Sequence, residues 1–146
     1  MICDIKMQAV LRESVGEYGD LVTRPTGRAV RERIERTIAA PEADPLIARM
    51  DFAGVGCLDY SCADEIVAKL LRDRVRFLLL VGLTDGHREA IEPVLQGHRL
   101  AVVIQRDDGT LDAIGEAAAG VALLRELVER RMARPTEGGA IALVAA

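Results

Sequence analysis

The chain has 146 residues, half of them apolar and 29% charged, which suits one domain able to bury a core of its own. A net charge of −4 and only 3% aromatic residues set it apart from proteins that hold nucleic acid through basic surfaces and stacked bases. No apolar run reaches the roughly 18 residues of a membrane span, and the opening MICDIKMQ lacks a signal-peptide core, so a cytoplasmic protein with no membrane or nucleic-acid partner is expected.

Residues 2–10 open as an edge strand or as the start of a helix, since IKMQAVLRE fits both periods. Gly16 and Gly19 mark a turn over 13–20, and a short strand over 21–24 is kept extended by Pro25. Thr26 caps a helix over about 27–39 whose apolar stripe is Val30, Ile34, Thr37 and Ile38; Pro41 and Pro45 end it. The stretch 51–71, DFAGVGCLDYSCADEIVAKLL, is central. An apolar strand over 46–52 ends there, Gly54 and Gly56 open a loop, and Ser61 begins a helix carrying Ala63, Ile66, Val67, Leu70 and Leu71 at helical spacing. Ser61 and Asp64 fit a capping box, which sets a serine hydroxyl at the positive end of a helix just beyond a strand.

The continuous apolar run RFLLLVGL at 76–83 predicts a strand buried on both faces. Thr84 and Asp85 cap a helix carrying Ala90, Ile91, Val94 and Leu95, in which Pro93 predicts a kink or an irregular first turn, and Gly97 closes it. Residues 99–105 form another strand, and Asp107-Asp108-Gly109 turns it into a hairpin with 111–114. A long helix over about 116–132 presents Ala117, Val121, Leu124 and Val128 inward, with Leu127 flanking. Its Gly120, costing about 1 kcal/mol against alanine, implies a close approach by another backbone. Pro135, Gly138 and Gly139 break the chain. The tail AIALVAA is expected as a strand pairing with this sheet or with a second copy. The alternation predicts a single α/β domain over 1–146, a mixed β-sheet with helices packed on it.

Few residues suggest chemistry. Ser61 reads as a helix cap, a phosphorylation site or a nucleophile, but no GxSxG elbow surrounds it. A phosphate there would add a charge of about −1.5 to −2 beside Asp59 and Asp64. Cys3, Cys57 and Cys62 are odd in number and form no CxxC pair, as expected of reduced thiols; Cys62 near a helix start is the other candidate nucleophile. His87 and His98 read as surface residues, and with no HxxxH or Cys/His cluster neither a metal nor a cofactor is expected. Arg24, Arg28 and Arg31 bracket a helix start, so Arg24 and Arg28 are candidates to receive an anion; Glu32 and Glu35 beside them suit a salt-bridged face instead.

The run Asp51-Phe52-Ala53-Gly54-Val55, followed by Leu58-Asp59-Tyr60-Ser61-Cys62-Ala63-Asp64-Glu65, resembles the STAS and STAS-like domains, the anti-sigma factor antagonist fold of bacteria. That family shows an arginine–x–x–glycine–arginine element upstream, and Arg24-Pro25-Thr26-Gly27-Arg28 is close to it. The resemblance covers about 21–104 and leaves 105–146, the hairpin, long helix and tail, as a C-terminal extension. It implies a non-enzymatic regulatory module whose serine, matching Ser61, is phosphorylated by a histidine-kinase-like ATPase or anti-sigma kinase. Asp59, Tyr60, Cys62, Asp64 and Glu65 would then form the partner-binding surface. Tyr60 and Cys62 depart from the small residue and glycine usual in the antagonists. Two other readings stand beside it: a small enzyme with Ser61 or Cys62 as nucleophile, and a structural subunit forming a homodimer through its tail and long helix.

Overall fold

The computed structural model describes residues 2–17, 19–38 and 47–144. Strand β1 (Ile2–Lys6) passes without a loop into helix α1 (Met7–Val15), so the first ten residues hold both of the elements their pattern allowed. Helix α2 (Arg24–Thr37) begins three residues before the expected start. Pro25 sits in its first turn, where a missing N–H costs nothing. The expected strand at 21–24 is reduced to one bridge between Leu21 and Leu58. The expected loop around Pro41 and Pro45 lies outside the described residues, as do the last two residues of the tail.

Strand β2 (Ile47–Asp51) leads through the central loop into one helical rod made of α3 (Tyr60–Ala63), a π-helical stretch (Asp64–Ala68) and α4 (Lys69–Asp73). Strand β3 (Phe77–Val81), helix α5 (Asp85–His98), strand β4 (Ala101–Gln105), strand β5 (Thr110–Gly115) and helix α6 (Ala117–Glu129) follow. Helix α5 runs through Pro93 unbroken. Pro93 stands on its exposed side, where water can serve the carbonyl that proline leaves free. The chain ends in β6 (Ala133–Pro135), which the sequence did not suggest, and β7 (Ile141–Leu143).

The seven strands of the described residues form one mixed sheet in the order β1-β2-β3-β4-β5-β7-β6. The first four are parallel and lie in chain order, and the rest are antiparallel. The tail therefore joins its own sheet, between β5 and β6. Side chains alternate across the sheet. Ala48, Met50, Leu78, Leu80, Val102 and Ile104 face the core shared with α1, α2, the central rod and α5. Ile47, Phe77, Leu79, Ala101 and Val103 face the opposite core with Leu123 and Leu127 of α6. Strand β3 is thus buried on both faces, as its apolar run implies.

Helix α6 is rotated relative to its expected orientation. Gly120, Leu123 and Leu127 are buried, whereas Val121 is 56% exposed. The cause is Gly120: a β-carbon there would lie 3.0 Å from the Ala113 β-carbon, so the helix lies closest to β5 along its glycine side. The approaching group is a side chain rather than the expected backbone. No helix among the described residues is long and apolar enough to cross a membrane.

Candidate functional site

The central loop is held from three sides. Gly56 N–H donates to the Gly19 carbonyl at 2.8 Å, Leu21 N–H to the Cys57 carbonyl at 2.7 Å, and Asp59 N–H to the Leu21 carbonyl at 3.0 Å. His87 closes the third side. Its Nδ1 accepts from the Thr84 N–H at 3.1 Å, which puts the ring proton on Nε2, 2.8 Å from the Gly56 carbonyl. Thr84 accepts in return from the His87 N–H, so the capping box of this protein is at α5. His87 is 2% exposed, correcting its reading as a surface residue; the polar tip is spent on the loop and the ring packs on Phe52.

The cap of the central rod is Asp59, two residues ahead of the expected Ser61. Asp59 Oδ1 accepts from the Cys62 N–H and from Ser61 Oγ, each at 2.8 Å, and Oδ2 accepts from the Thr23 N–H at 2.9 Å. A carboxylate is a stronger acceptor for free helix amides than a hydroxyl, so the serine becomes a donor inside the first turn. Burial would raise the Asp59 pKa, but these donors outweigh it and hold the carboxyl below its ordinary range. Ser61 is partly exposed, and the neighbouring Tyr60 is 54% exposed. Asp64 is half-buried against His98 Nε2 at 2.7 Å and Arg24 Nη1 at 2.9 Å, which keep its pKa lowered against the opposing effect of burial.

Cys62 and Glu65 are fully buried, which corrects their assignment to a partner-binding surface. Cys62 Sγ donates to the Thr23 carbonyl at 3.0 Å. Burial, and then the Asp59 charge, push its thiol up to about 12, the reverse of an activated nucleophile. Glu65 is surrounded by cations: Arg24 Nη1 at 2.7 Å, Lys69 Nζ at 3.0 Å, Arg31 Nη2 at 3.1 Å and Arg28 Nε at 3.7 Å. Burial raises its pKa, but bonds from Lys69, Arg24 and Arg31 prevail and hold it at about 2. Arg24 is therefore no open anion receptor, since both its acceptors are internal carboxylates. Arg28, with 58% of its side chain exposed, is the least engaged of the four.

Gly27 explains how α2 comes so close. A β-carbon at Gly27 would stand 3.0 Å from Cys62 Cα and 3.1 Å from Glu65 Cβ, so any larger residue would push the two helices apart there. The segments 24–28 and 59–65 thus form one locked unit with Ser61 and Tyr60 at its rim. The buried ion network itself was missed by sequence reasoning. Its one linear signal is Glu65 standing among Ala63, Ile66, Val67 and Ala68 at helical spacing. Among the described residues no group of three or more His, Cys, Asp or Glu is placed to hold a metal ion. No family model, no curated protein and no solved structure matches the chain.

Proposed function

We propose that this chain is a non-enzymatic STAS-like regulatory module that docks on a partner protein through the surface around Ser61 and Tyr60, with Ser61 as its phosphorylation switch. The observation that carries this reading is the union of the two motif segments. Arg24 and Gly27 of one lie against Cys62, Asp64 and Glu65 of the other, and leave a partly exposed serine and an exposed tyrosine facing outward. The partner of the reading is a histidine-kinase-like ATPase of bacterial, cytoplasmic signalling. In the modifying step Ser61 Oγ attacks the γ-phosphorus of ATP, the bond to ADP breaks, and the hydroxyl proton passes to solvent. The STAS-like assignment extends over about 21–104, where β2, β3 and β4 run parallel with their connecting helices on one face. Strand β1 extends that parallel set, and β5 to β7 with α6 are its addition.

The enzyme reading has weaker support. The Cys62 thiol is enclosed and hard to ionise, and the only hydrogen-bond partner of the Ser61 hydroxyl among the described residues is a carboxylate of lowered pKa, a poor base. Incubation with candidate kinases and ATP, followed by intact-mass measurement, tests the switch. One added phosphate that disappears in Ser61→Ala supports it; no phosphate with any kinase overturns it. A homodimer is a second reading, favoured by Val121 and Val144, 56% and 41% exposed on α6 and just beyond β7. Sedimentation of the wild type and of Val121→Asp decides that point.

A further inference from the structure

We infer that Thr23 is a strained hinge and Asp59 its latch, so that the charge beside Ser61 sets the position of the first turn of α2. Thr23 has φ 70° and ψ 146°, a region open to glycine and costly for any residue with a β-carbon, above all a β-branched one. Its amide donates to Asp59 Oδ2, 36 residues away. Its carbonyl accepts from Cys62 Sγ and from the Gly27 N–H. Thr23 is exposed, so packing does not confine it. Water can serve its amide as soon as the carboxylate turns aside, and of the three bonds to its backbone the one to Asp59 is the one that a charge at Ser61 acts on directly.

The latch adjoins the serine. Asp59 Oδ1 accepts from Ser61 Oγ while Oδ2 holds Thr23, so one carboxylate spans both. Placing a dianionic phosphoryl group where a hydroxyl donor stood drives that carboxylate away. Thr23 then relaxes to negative φ, and the turn at 24–27 swings, drawing Arg24 off Asp64 and Glu65. The trigger rests on the reading of Ser61 as the modified position; the latch does not.

The latch is therefore tested without phosphate. Glycine in place of alanine ordinarily weakens a fold, but at a strained positive φ the order reverses. Thr23→Gly is expected to melt a few degrees above Thr23→Ala; an alanine variant as stable or more stable overturns the proposal. Asp59→Ala is then added to each variant, and hydrogen exchange is followed at the amides of 27–31. Exchange is expected to rise roughly tenfold with alanine at 23 and distinctly less with glycine. Equal acceleration in both, or none in either, overturns it. Where Asp59→Ala fails to fold, Asp59→Asn, which keeps the size of the side chain and one acceptor oxygen but removes the charge that holds Thr23, is read the same way. A reversed Gly/Ala order together with no kinase-dependent phosphate would discard the switch and leave the latch standing.

Discussion

Glu65 is a charge that water does not reach, and its neighbours decide what that means. An isolated buried carboxylate would take up a proton, but three hydrogen-bonding cations and a fourth at longer range keep this one ionised. Glu65→Gln keeps the shape and removes the charge, leaving Arg24, Arg31 and Lys69 crowded around a neutral amide. The cations left behind still reach water, so the expected cost is about 1.5–3 kcal/mol in chemical denaturation, above that of a surface charge change. Acid should act through the same residue. Its folded pKa, about 2, lies below the ordinary 4.5, so the unfolded chain binds the proton more readily. The stability it supplies is complete above about pH 4.5 and declines as the pH falls towards about 2. Thermal melts across that range should drop more steeply for the wild type than for Glu65→Gln. A parallel fall would mean that other carboxyls govern acid unfolding. The thiols give a further check: in native protein a thiol reagent should modify the exposed Cys57 quickly, and the buried Cys62 only on unfolding. The sequence placed Asp59, Tyr60 and Ser61 near a helix start. It did not bring Arg24 to Glu65, because a bond across 41 residues has no linear signature.

At the scale of the elements, two glycines inside helices make opposite predictions. Gly27 in α2 faces Cys62 and Glu65 at 3.0–3.2 Å, while Gly97 in α5 has nothing within 4 Å. Gly27→Ala gains about 1 kcal/mol in helix propensity but overpacks a joint between two helices at a cost of about 1–3 kcal/mol. A net loss of up to about 2 kcal/mol is expected, with weakened Arg24 contacts. Gly97→Ala has only the propensity gain, so a rise of about 0.5–1 kcal/mol is expected. Denaturant midpoints measure both, and a stabilising Gly27→Ala would refute the close contact. The same contrast shows what a linear pattern carries. Apolar spacing located α2, the central rod, α5 and α6, because burial imposes a helical period on them. It did not reveal the π-helical stretch at Asp64–Ala68, where the hydrogen-bond ladder changes while the apolar period hardly does. It also placed the cap on Ser61, because choosing between neighbouring Asp59 and Ser61 depends on which side chain Thr23 approaches.

For the whole molecule, strand runs were legible and their order was not. Each apolar run at 46–52, 76–83 and 99–105 became a strand, yet nothing local states that the chain's end inserts between β5 and β6. Strand β6 escaped notice because it has three residues, one of them proline, which a sheet accepts at its edge. The opposite edge, β1, is short and carries Asp4 and Lys6, a composition that discourages further strand pairing. The internal place of β7 makes a strong demand on the tail. Ending the chain at Gly138 removes Ile141 and Leu143 from the core beside α6, bares the outer edge of β5, and takes from β6 the strand it pairs with. Two partly buried aliphatic side chains and their ladder bonds should cost about 2–4 kcal/mol, a fall in melting temperature of roughly 5–12 °C. Strands β1 to β4, helices α1, α2 and α5 and the central rod do not rest on β7 and should keep their signal in circular dichroism. The newly bared edge should raise the tendency to aggregate, measurable by light scattering. A truncated chain that melts with the full-length protein would show that β7 adds nothing to the sheet.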